Sequence, residues 1–171
     1  MSTPKFQLRR GDKVTLTAYA RARGSQKEAT MFPRNFSVRD KLISQDGVSI
    51  EKDGWRIEAK EPRTVRLFEI AKPNVEDCRM LYRAQLKCEK LQGKAYLEML
   101  CRPPEGGDYF SKDLEHPLSG TTDWSSYETP FYLLKGQRLD LIKLNLVIEG
   151  KGTVWIKDIS LAKTPLPPEA R

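Results

Sequence analysis

Cysteine and histidine are scarce in this chain, with three and one among 171 residues. Cys78, Cys88 and Cys101 form no C-x-x-C pair, which argues against a zinc site. His116 precedes Pro117 and has no Ser/Asp or metal-spaced partner, so it offers no catalytic constellation. G-x-S-x-G, P-loop, H-E-x-x-H and G-x-G-x-x-G motifs are all missing. Nothing in the sequence nominates two carboxylates as a hydrolytic pair. The expectation is a protein that is not an enzyme. Long apolar runs are missing too: none approaches the roughly 20 residues of a membrane span. The opening MSTPKFQLRRGDKV lacks the apolar centre of a secretory signal. These absences predict a cytoplasmic protein, the alternative being a piece of a larger exported chain.

Charge is present in quantity but unevenly placed. Of thirty Lys and Arg and twenty-three Asp and Glu, residues 1–41 hold ten and three. The remaining residues are balanced, so the whole net charge of +7 lies in this N-terminal segment. A basic arm suits an anionic partner such as nucleic acid. The plainer reading, which the sequence favours, is a solvated linker or an edge strand kept from pairing by its charges.

What the chain has in abundance is alternation. Ile142, Leu144, Leu146 and Ile148 are apolar at every second position while Lys143 and Asn145 point the other way, the mark of a half-buried strand. The same period predicts strands over residues 13–20, 64–71, 127–134 and 153–161. Asp53-Gly54, between Ile50 and Ile57, predicts a two-residue hairpin turn. Residues 79–88 and 94–102 read as the two arms of a hairpin closing near Leu91-Gln92-Gly93. In that register Cys88 and Cys101 lie at opposite ends, roughly 20 Å apart at about 3.3 Å per residue, and are buried and unpaired. Residues 102–123 are rich in turn formers and read as a functional loop or a short strand around Tyr109-Phe110. No segment shows helical periodicity. The organisation predicted is a basic segment over 1–41, an all-β antiparallel sandwich over 42–164, and a Pro-rich tail over 165–171.

The order Trp124, Tyr127, Pro130, Phe131, followed by an apolar strand and then VWIKDISL (Val154 to Leu161), resembles the closing half of galactose-binding-domain-like jelly rolls. Non-catalytic carbohydrate-binding modules belong to that class. The resemblance covers residues 42–164 and implies a two-sheet jelly roll and a non-catalytic ligand-binding module, carbohydrate being the implied ligand. It implies that Trp124 packs in the core. It also matches Asp158 to an acidic residue that, with carbonyl oxygens, helps bind a structural calcium ion. The sequence itself implies a bulge there, because Val154 and Ile156 share one phase and Ile159 and Leu161 the other. A hydrogen-bonded bulge without metal is the reading that the neighbouring Lys157 favours.

With the apolar residues of the hairpin facing the core, its opposite face carries Arg83, Gln85, Lys87, Tyr96 and Glu98. Asn145 and Trp155 lie on the non-core faces of their own strands. Planar polar groups bond vicinal hydroxyls and a ring covers the C–H face of a pyranose. Arg83, Gln85, Tyr96, Glu98, Asn145 and Trp155 are therefore the candidate ligand-binding residues, with Tyr109, Phe110 and His116 as loop candidates. The competing expectation is a solvated face of a structural or protein-interaction domain, with Lys87 over Tyr96 and Gln85 meeting Glu98. Glycans and neighbouring protein domains are the partners these two readings imply.

Overall fold

The structure, a computed structural model, describes residues 31–170. Among the described residues alternation becomes nine strands: β1 (Arg34–Phe36), β2 (Val48–Glu51), β3 (Gly54–Ala59), β4 (Arg63–Ala71), β5 (Cys78–Arg102), β6 (Tyr109–Lys112), β7 (Leu118–Leu133), β8 (Leu141–Ile148) and β9 (Lys151–Thr164). All pairings are antiparallel. One layer, sheet 1, runs β2-β3-β9-β5-β7, with β1 continuing beside β9. The other, sheet 2, runs β4-β8-β5-β6. No helix among the described residues is long and apolar enough to cross a membrane.

β5 belongs to both layers. Its first half pairs β9 and β7, and its second half pairs β8 and β6. The chain turns the corner at Lys90 to Gly93, where Lys90 has φ 50° and Gly93 has φ 91°. The β8–β9 connection turns the same corner alongside it. A Cβ on Gly150 would overlap the carbonyl of Gln92, and one on Gly152 would lie 2.6 Å from Leu91 Cα. Only glycine lets two main chains cross this closely.

The core forms where the layers face each other. Ile57, Met80, Tyr82, Leu86, Val154 and Ile156 come from sheet 1, and Val65, Leu97, Met99, Ile142, Leu144 and Leu146 from sheet 2, all buried. Each large apolar side chain so buried contributes about 1.5–3 kcal/mol. Phe36 stacks on Phe68 with centroids 4.0 Å apart, so the sandwich takes in residues ahead of 42. At the other end Leu166 is buried, so the Pro-rich tail begins by packing. The strand expected over 13–20 lies outside the described residues.

Two turns differ from expectation. Residues 79–88 and 94–102 do not pair with each other, because their chain segment is a corner between layers rather than a hairpin. Glu51 pairs with Gly54, so the β2–β3 turn is Lys52-Asp53, with Lys52 at φ 59°. Gly54 instead lies in the ladder, where a Cβ would meet the Ile156 carbonyl at 2.7 Å. The short strand at Tyr109-Phe110 is present as β6. The bulge at Asp158 is present too: Gly54 pairs with Lys157 and Phe36 with Ile159, leaving Asp158 between them at φ 52°.

Candidate functional site

Because β5 crosses between layers, the face that a hairpin would have shared is divided. Tyr96, Glu98 and Asn145 lie on the outer face of sheet 2, and Arg83, Gln85 and Trp155 on the outer face of sheet 1. The six candidates form two groups on opposite sides of the sandwich.

On sheet 2 one row crosses four strands. Arg66 pairs with Asn145, Asn145 with Glu98, and Glu98 with Lys112. Glu98 Oε1 accepts from Asn145 Nδ2 at 2.9 Å, and Lys112 Nζ stands 3.7 Å from Oε2. Glu98 is 8% exposed and Asn145 7%, so these contacts are made largely out of water, where they are strong and their loss is costly. Tyr96 lies one row away and is also buried; its hydroxyl donates to Glu149 Oε2 at 2.7 Å. Burial first, and the Glu149 acceptor second, push its phenol up to about 12. In the next row on the other side Leu100 pairs with Phe110, whose ring is half exposed. Arg66 extends the polar row towards solvent, donating to Glu69 Oε2 at 3.0 Å. Alternation in the sequence identifies Glu98 and Asn145, but Arg66 and Lys112 become part of the row only through pairing across strands.

The loop candidates separate. Tyr109 and Phe110 line a groove of about 240 Å³ with Ser111, Pro130, Phe131 and Tyr132, between β6 and β7. His116 lies outside it on the exposed turn after β6, with Nδ1 3.5 Å from Asp113 Oδ1. Desolvation raises the Asp113 carboxyl, opposed by that histidine.

On sheet 1 the expected cover of Tyr96 by Lys87 is absent, since the two lie on different layers. Lys87 Nζ instead sits 4.7 Å from the Trp155 ring centroid and 5.3 Å from that of Trp124. Trp124 is half-buried on the outer face rather than packed in the core. Alternation counted back from Phe131 through Tyr127 places it there, against the implication of the resemblance. Gln85 does not meet Glu98 either; it pairs with Ser126 and Lys157. Arg83 Nε donates to Glu128 Oε1 at 3.0 Å.

Asp158 is exposed on its bulge. Among the described residues no three His, Cys, Asp or Glu side chains gather closely enough to hold a metal ion.

No family model and no curated protein matches the sequence. Among solved structures, the fold is similar to that of a family 4 carbohydrate-binding module. The TM-score is 0.52 and the identity 10%, over 77% of this chain and 78% of that one. The CBM22-1 xylan-binding domain from Paenibacillus barcinonensis Xyn10C gives 0.49 and 12%, over 78% and 95%. A family 16 carbohydrate-binding module gives 0.48 and 10%, over 70% and 82%. At such identities the likeness is one of fold. This chain has the jelly-roll sandwich of carbohydrate-binding modules.

Proposed function

We propose that this protein is a non-catalytic module that binds a carbohydrate on the outer face of sheet 2. The observation that carries the proposal is the row Arg66, Asn145, Glu98, Lys112, in which a carboxylate, an amide and two cations face the same way on adjacent strands. Glu98 and Asn145 orient each other, so little freedom is lost when sugar hydroxyls replace or extend their bonds. Phe110, half exposed in the next row, adds an aromatic ring beside it, with Lys112 Nζ 5.2 Å from the ring centroid. Both Glu98 oxygens are engaged, one by an amide and one by an ammonium, an arrangement suited to holding a ligand rather than to moving a proton. The likeness of fold to a carbohydrate-binding module supports the reading.

The burial of Tyr96, Glu98 and Asn145, each with a partner in place, favours a second reading in which this face is structural and the domain serves protein contacts. Calorimetric titration with xylo-, manno- and cello-hexaose separates the two. Binding of any one supports the carbohydrate reading; no heat with all three favours the interaction domain.

A further inference from the structure

The opposite face of the sandwich carries a second arrangement of chemistry. Across β3, β9, β5 and β7, cations and indole rings alternate. The Arg56 guanidinium lies 5.7 Å from the Trp155 centroid, Lys87 lies between Trp155 and Trp124, and Lys157 Nζ lies 4.3 Å from Trp124. The ring of Trp155 is fixed by its Nε1, which donates to Glu51 Oε1 at 2.8 Å. Both rings are half-buried, so each keeps a surface open to solvent. We propose that this face binds an acidic saccharide, a pyranose bearing a carboxylate, with its ring on Trp155 or Trp124 and its charge on Lys87 and Lys157.

Charge accounting selects the ligand. Among the described residues Lys87 and Lys157 have no carboxylate at ion-pair distance, and their contacts are with the indole rings. An ammonium over an exposed ring is held weakly, by about 0.5–1 kcal/mol, so an incoming anion can draw it off and the vacated ring can take an apolar ligand face. A uronate brings both in one unit, because its carboxylate stands on the ring that stacks. Of the arginines on this face, Arg56 is neutralised by Glu58 at 2.7 Å and Arg83 by Glu128 at 3.0 Å, while Arg79, at the far end of β5, donates to Thr164 Oγ1 at 2.9 Å. They leave no continuous basic track of the kind a phosphodiester backbone requires. Gln85 and Ser126, paired between Arg83 and Lys87, add amide and hydroxyl groups suited to sugar hydroxyls.

The site is independent of the row on sheet 2, and the test keeps the two apart. The full chain is titrated with trigalacturonate, its methyl ester and oligothymidylate, following tryptophan fluorescence and heat. Lys87→Gln, Trp155→Ala and Glu98→Gln are measured beside the parent, with far-UV spectra confirming the fold of each. The expected result is binding of trigalacturonate that weakens with salt, is lost with the ester, and falls about tenfold or more in Lys87→Gln and in Trp155→Ala but not in Glu98→Gln. Equal binding of the ester overturns the proposal, since the lysines would then play no part. Loss in Glu98→Gln with normal binding by Lys87→Gln overturns it by moving the site to sheet 2. Preference for oligothymidylate identifies a nucleic-acid surface instead, and no binding of any probe leaves the cation–indole stack structural; both overturn it.

Discussion

The Tyr82 hydroxyl, rooted in sheet 1, donates to the main-chain carbonyl of Asn145 in sheet 2 at 3.0 Å. It crosses the core and ends under the residue whose side chain holds Glu98 on the outer face. Asn145 lies opposite the bulge at Leu67, where the β4–β8 register slips by one residue. Tyr82 thereby links the packing of the two layers to the position of the polar row. Tyr82→Phe keeps the ring and leaves a buried carbonyl without its donor, so it is expected to lower stability by about 1–3 kcal/mol. Urea denaturation measures this, and an unchanged midpoint would show that the bond contributes nothing.

The shared corner predicts a sharp contrast between two glycines. Gly150→Ala drives a methyl group into the Gln92 carbonyl where two main chains cross, and is expected to destabilise by about 2 kcal/mol or more. Gly106→Ala, at φ 96° but with no atom within 4 Å of the added Cβ, is expected to cost about 1 kcal/mol from backbone strain alone. Thermal denaturation of both variants checks the order, and a reversed order contradicts the corner geometry.

Strands and core were legible in the sequence because alternation is local: Ile142, Leu144 and Leu146 face inward as their spacing requires. The Asp158 bulge was legible for the same reason, as a change of phase. The two-layer path of β5 was not. Leu91-Gln92-Gly93 signals a reversal, but a hairpin turn and a corner between layers use the same residues, and only the long-range partners distinguish them. Those partners, Lys151 opposite Gln92 and Ile148 opposite Ala95, lie more than fifty residues away. One misread corner divides the candidate site, since it places Gln85 and Glu98 on opposite faces. It also separates Cys88 from Cys101 by layer; both are free and buried, as expected, although not by the hairpin register.

Alkaline titration tests the environment of Tyr96. Its phenol is raised from 10.0 to about 12 in the folded protein. The unfolded chain therefore gives up this proton first, and stability is expected to fall as pH rises from 10 towards 12. Tyr82, Tyr127 and Cys101 are shifted upward as well, chiefly by burial, and act in the same direction. Tyr96→Phe should flatten part of that fall. A variant whose stability follows the same pH curve as the parent would show that Tyr96 is not held as described.

The most direct measurement compares Glu98→Gln on sheet 2 with Gln85→Ala on sheet 1, using whichever neutral hexasaccharide binds the parent. Glutamine preserves the shape of Glu98 but removes its charge and one of its two acceptor oxygens. Binding is expected to weaken about tenfold or more in Glu98→Gln, with the fold retained, and to remain near the parent value in Gln85→Ala. Undiminished binding by Glu98→Gln, together with loss in Gln85→Ala, would contradict the assignment of the carbohydrate face.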